Sequence, residues 1–183
     1  MISTTDLDTA TKGRLPADDP ETARLLEVGL GVCRRYCGWH VHPVLDDDEV
    51  VLDGRGGPVL RLPTLQLIEP LEIVEDGITL DLSMLDWSPF GRISKRSGGH
   101  WSQRFGSILV TYQHGFASAP GFESTVITYV ARTSLTVATG GNAGTRTAVG
   151  PFQYGAPTAL EDCSAFTGEE RMNLDLYRLE PHP

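Results

Sequence analysis

The sequence lacks most of the signatures by which a chain declares its chemistry. Its 183 residues hold three cysteines, an odd number that sets no disulfide framework. That usage points to synthesis in a reducing cytoplasm. No stretch approaches the roughly 20 apolar residues of a membrane-spanning helix. The opening MISTTDLDTATKGRL carries two Asp and no apolar run, so it does not read as a signal peptide. Basic residues are outnumbered, with 15 Lys and Arg against 24 Asp and Glu. A net charge of −9 argues against a protein whose task is to grip nucleic-acid phosphates. It does not argue against a surface past which DNA slides without sticking, because like charge lowers adhesion.

What is present is enough for a folded core. Apolar residues make up 40% and charged residues 21%, the balance of a globular chain. In DDPETARLLEVGLGVCRRYCGW, Asp19 fits an N-cap, Pro20 the first helical position and Glu21 the positive end of the dipole. Leu25, Leu26, Gly29, Val32, Cys33 and Tyr36 form one apolar stripe at helical spacing, and Gly38 is a natural stop. A helix is predicted over Pro20–Cys37, with a shorter helical turn before it, ended by Gly13. From residue 41 to 112 the pattern shifts to short β segments. Residues 49–53 and 59–62 flank GRGG and read as a hairpin, EDG at 75–77 as a turn, and MLDWSPFGRISK as a second hairpin. Together they predict a small antiparallel sheet or barrel.

After Pro120, Phe122, Val126 and Val130 predict a helix to about residue 134, although the segment is rich in β-prone residues. A Gly-, Thr- and Ala-rich stretch then reads as an extended arm. Thr167 and Glu170 make a capping box for a last short helix, with Met172, Leu176 and Leu179 on one face and Pro181 as its stop. The fold class predicted is α+β.

The clearest constellation of potential ligands is CRRYCGWHVHP. Cys33 and Cys37 lie one helical turn apart, with His40 and His42 just beyond. Zinc sites use these residue types, usually as two pairs on tight loops. Here no second cysteine pair accompanies them, and Cys33 belongs to the apolar stripe. The reading preferred is therefore a helix end in which Cys33, Tyr36 and Trp39 pack into the core, with no metal and no cofactor. A Cys33–Cys37 disulfide fits poorly with one-turn helical spacing. TGGNAGT at 139–145 lacks the Gly-Lys-Ser/Thr ending of a phosphate loop. LDDDEV at 45–50 lacks the spaced ligands of a calcium loop and reads as a solvated edge guarding a strand. His114 follows a strand but has no recognisable nucleophile motif nearby. Trp87, Trp101 and Phe105 read as sheet packing.

Beyond the individual residues, the order of local motifs carries a resemblance. ARLLEVGLGVCRRYCGWHVHPV, then VVLDGRGGPVLRLPTLQLIEPLEIVEDG, then WSPFGRI, then HWSQRFGSILVTYQHGF, together resemble the head-to-tail adaptor (head–tail connector) proteins of long-tailed bacteriophages, closest to those of actinobacterial phages. The ending GEERMNLDLYRLEPHP is similar to theirs. The resemblance covers most of the chain, thinly over the first eighteen residues and 138–159. It implies a helical bundle carrying a central antiparallel β-rich insertion. The expected division is a helical part over 1–40, the insertion over 41–115, a helix over 116–137, an extended arm over 138–166, and a C-terminal helix and tail over 167–183.

The resemblance also implies a role. Adaptors are structural virion proteins of the neck, not enzymes. They form a ring, typically dodecameric, between the capsid portal and the stopper and tail, with a central channel for passing double-stranded DNA. The expected partners are the portal protein, stopper and tail proteins, and further copies of the chain, with no membrane. Leu176, Tyr177, Arg178 and Leu179 are then expected to dock on the portal. Asp46, Asp47, Asp48 and Glu49 are expected to face the channel, and Arg34 and Arg35 to meet a neighbouring subunit. The Gly-rich arm is expected to wrap a neighbour. The net acidity predicts a chain mostly monomeric alone at low salt, forming rings on the portal. The alternatives are another connector-ring protein (stopper or tail terminator), a small zinc-dependent or hydrolytic enzyme using Cys33, Cys37, His40 and His42, and a carbohydrate- or peptide-binding β-module using Trp87 and Trp101.

Overall fold

A computed structural model describes residues 2–138, 147–149, 152–154 and 166–180. The fold is α+β, and the chain divides into two compact units. One comprises Ile2–Cys33 and Pro120–Leu176; the other comprises Arg34–Ala119 and the C-terminal tail from Tyr177.

The first unit is helical. α1 (Thr4–Thr11) opens with a reciprocal cap: the Ser3 hydroxyl accepts from the Asp6 amide, and the Asp6 carboxylate accepts from the Ser3 amide. Lys12 and Gly13, both at positive φ, end it. α2 (Pro20–Cys37) starts as predicted, with the Asp19 carboxylate accepting from the Glu21 amide at 2.9 Å. Its buried positions in this unit, Thr22, Leu26, Gly29, Leu30 and Cys33, follow helical spacing.

α3 (Pro120–Ala138) runs farther than the sequence pattern predicts. Phe122, Val126 and Val130 are buried four residues apart. The β-prone hydroxyl residues are accommodated by bonding back into the helix: Thr125 Oγ1 donates to the Gly121 carbonyl and Thr133 Oγ1 to the Tyr129 carbonyl, each at 2.8 Å. At Gly29 the α2 backbone lies against Val130, with no room there for a Cβ.

α4 (Gly168–Asp175) begins with the predicted capping box. Glu170 is 4% exposed and does two things. It accepts from the Thr167 amide at 2.7 Å and pairs with Arg132 of α3 at 2.9 Å. The helix ends at Asp175, so Leu176 is its C-cap and Leu179 lies beyond it; the predicted shared helical face of Met172, Leu176 and Leu179 is not formed.

The second unit is antiparallel β. β1 (Leu45–Leu52), β3 (Leu67–Glu75), β4 (Ile78–Thr79) and β7 (Ile108–His114) form a four-stranded sheet in the order β1-β7-β3-β4. β2 (Val59–Arg61), β5 (Leu85–Ser88) and β6 (Arg92–Lys95) form a second sheet in the order β2-β6-β5. The predicted hairpin between 49–53 and 59–62 does not exist. β1 pairs with β7 and β2 with β6, so the GRGG segment crosses from one sheet to the other. Two local turns do form. Asp76 and Gly77, both at positive φ, join β3 to β4, and Gly91 at φ 68 closes the β5–β6 hairpin. The core contains Leu60, Ile93, Ile73, Ile108 and Tyr112, among others, drawn from both sheets, with Trp101 from the segment between β6 and β7.

β8 (Thr147–Val149) and β9 (Phe152–Tyr154) pair antiparallel within the predicted arm. The rest of that arm, including TGGNAGT, lies outside the described residues.

Candidate functional site

The residues nominated by the sequence fall into three places. The first is the joint after α2. Cys33 and Cys37 are buried and not disulfide-bonded. Among the described residues no group of three or more His, Cys, Asp and Glu could hold a metal ion. The side chains are committed elsewhere. His40 Nε2 bonds to the Pro43 carbonyl, and His42 Nδ1 to the Phe116 carbonyl at 3.0 Å. Arg34 donates to the His42 carbonyl at 2.7 Å, so it braces this turn rather than projecting, while Arg35 is exposed.

His114 is the centre of an aromatic cluster. It is 1% exposed, stacks at a tilt on Tyr112 with ring centroids 4.5 Å apart, and has Trp39 and His40 within 6.1 Å. Its Nε2 lies 3.0 Å from Asp48 Oδ2. Burial lowers the proton affinity of both His114 and His40, against the pull of Asp48. Tyr112 is pushed up by burial and by Asp48, which keeps its phenol protonated. Gly115 follows at φ 106, and a Cβ there would meet the Pro43 carbonyl at 2.7 Å.

The second place is the C-terminal tail. Leu176 is 76% exposed. The next three residues are held by their own chain. The Tyr177 carbonyl accepts from Trp39 Nε1 at 2.7 Å, and its ring meets Phe116 edge-on at 5.6 Å. Arg178 sits 5.2 Å over the Tyr36 ring. The Leu179 amide donates to the Cys37 carbonyl at 2.8 Å, satisfying one of the orphan carbonyls that end α2.

The third place is the acidic run, which lies inside β1, one of the two edge strands of its sheet as described. A bulge between Leu45 and Asp48 breaks the alternation. Asp46, Asp47 and Glu49 are exposed, and Asp46 accepts from Gln113 at 2.6 Å. Asp48 instead serves His114.

A feature that sequence reasoning missed is basic. Arg61 and Arg92 are directly opposed in the β2–β6 pairing, and both line a surface depression with Arg178, Phe90 and Glu180. The signal was distributed over three segments, and only the strand register brings them together. Of the aromatic residues, Trp101 is buried under Lys95, whereas Trp87 is 42% and Phe105 90% exposed, so Phe105 does not pack in the sheet as predicted.

No protein-family model matches the chain. No curated protein matches it either. Among solved structures, the chain is similar to a chain of the neck of an empty GTA (gene transfer agent) particle computed with C6 symmetry. The TM-score is 0.58 at 12% sequence identity, covering 100% of this chain and 91% of that one. At that identity the likeness is one of fold.

Proposed function

We propose that this chain is a structural neck protein of a phage-like particle, namely the head-to-tail adaptor that joins the capsid portal to the stopper and tail. Copies form a ring, dodecameric by the resemblance in the motif order, around a channel through which double-stranded DNA passes. The observation that carries this reading is the full-length fold likeness to a neck chain, at TM-score 0.58. The sixfold symmetry applied to that neck suits rings of six or of any multiple of six, a dodecamer included. The net charge of −9 per copy suits a wall from which DNA must slip.

Several nominated residues acquire narrower roles. Leu176 remains free for a portal contact, while Tyr177, Arg178 and Leu179 would have to leave their own chain to join it. Asp46, Asp47 and Glu49 remain candidates for the channel face or a neighbour, and Asp48 does not. Arg35 is the exposed member of the arginine pair. The particle is the site of action and the host cytoplasm the site of synthesis.

The test is electron microscopy of the chain produced together with the portal of the same particle. A ring stacked coaxially on the portal is expected. A ring found only at the far side of another neck protein would reassign the chain as a stopper or tail terminator. No association with any neck component would overturn the reading.

A further inference from the structure

Arg61 and Arg92 stand directly opposite each other on β2 and β6, in a chain that is acidic as a whole. Arg178 brings a third guanidinium to the same depression, and Glu180 is the one carboxylate among its described lining residues. Arg92 is exposed and has no ion pair among the described residues. Beside these charges Phe90 is 67% exposed. The depression is thus a basic, partly apolar surface on a chain whose net charge is −9.

The complementary surface is on the same unit. Among the described residues β1 has a strand neighbour on one side only, and it exposes Asp46, Asp47 and Glu49. An edge strand of this kind offers unpaired main-chain groups and a row of carboxylates together. We propose that the basic depression of one copy receives the acidic β1 edge of a second copy, so that Arg61, Arg92 and Arg178 face the neighbour's Asp46, Asp47 and Glu49. The contact is head-to-tail, because two different patches meet. A head-to-tail contact of this kind generates a ring when the rotation between copies closes, as the ring reading requires. It lets a chain of high negative charge associate through local complementarity while the remainder of its surface repels. This inference rests on the ring reading above.

The test is a charge exchange. Arg61→Glu/Arg92→Glu reverses the depression, and Asp47→Lys/Glu49→Lys reverses the edge. Each variant alone sets like charge against like and is expected to lose ring formation with the portal by at least about tenfold. The two variants mixed restore opposite charges at both contacts, if they alternate, and are expected to regain rings. Circular dichroism checks that each variant folds; if Arg61→Glu does not, Arg92→Glu/Arg178→Glu replaces it. Wild-type rings with both variants unimpaired, or with the mixture no better than either alone, would overturn the proposed contact. Absence of wild-type rings would instead overturn the ring reading on which it stands.

Discussion

Trp39 and Tyr177 are 138 positions apart in sequence and joined by a 2.7 Å hydrogen bond from the indole Nε1–H to the main-chain carbonyl. The bond ties the tail to the segment that follows α2. Trp39→Phe keeps most of the ring and removes the donor. It is expected to cost about 1 kcal/mol and to speed hydrogen exchange at the Leu179 amide, whose acceptor is the Cys37 carbonyl. Unchanged protection at Leu179 would show that the tail is held by other means.

Gly29 and Gly31 lie two apart on α2 and should respond oppositely to alanine. A Cβ on Gly29 would run into Val130, whereas one on Gly31 meets nothing within 4 Å. Gly31→Ala should stabilise by up to about 1 kcal/mol through helix propensity. Gly29→Ala should destabilise by about 1–3 kcal/mol through overpacking, and Val130→Ala added to it should recover part of that loss. Denaturant midpoints measure all three. Equal effects at the two glycines would contradict the close approach of α2 to α3.

The Lys95–Glu75 pair links the two sheets. It is 2.6 Å long with side chains 20% and 12% exposed, and Glu75 also accepts from the Ser102 amide at 2.7 Å. Glu75→Gln should cost about 1.5–3 kcal/mol, with little dependence on added salt. The same change at exposed Asp86, paired with Arg96, should cost at most about 1 kcal/mol. A larger loss at Asp86 than at Glu75 would reverse this ranking.

The imidazoles set a pH dependence. His114 and His40 bind protons less readily in the folded chain than at their ordinary value of 6.5, chiefly through burial. The unfolded chain therefore takes up protons first as pH falls. Stability should be level above pH 6.5 and decline below it. The carboxylates held down by capping and pairing, such as Asp6 and Glu21, act only in more acid solution. Denaturant midpoints between neutral and mildly acid pH, with imidazole titration by NMR, check the window. A stability that rose on acidification there would refute the assignment.

The elements governed by local chemistry were legible in the sequence. Asp19-Pro20-Glu21 announced α2, Thr167 with Glu170 announced α4, and SPFG announced the β5–β6 turn. What was not legible depended on partners distant in the chain. Residues 49–53 and 59–62 look like a hairpin because they are near each other, yet each found a strand far along the chain. The bulge that separates Asp46 and Asp47 from Asp48 is a property of the β1–β7 register, not of the acidic run. The sequence already favoured a packed helix end over a ligand set in CRRYCGWHVHP, but the main-chain acceptors of His40 and His42, at Pro43 and Phe116, are known only from the fold. Nothing local joined Arg61 and Arg92 to each other or to Arg178; only the strand register and the fold do.

Glu170 has a last consequence. An eight-residue helix is too short to persist alone in water. The carboxylate that starts α4 is also the one that pairs with Arg132, so nucleation and attachment are a single event. Sliding α4 by one residue would break both contacts together, leaving no half-seated state to occupy. The segment is thereby indexed to α3 like a key cut for one notch.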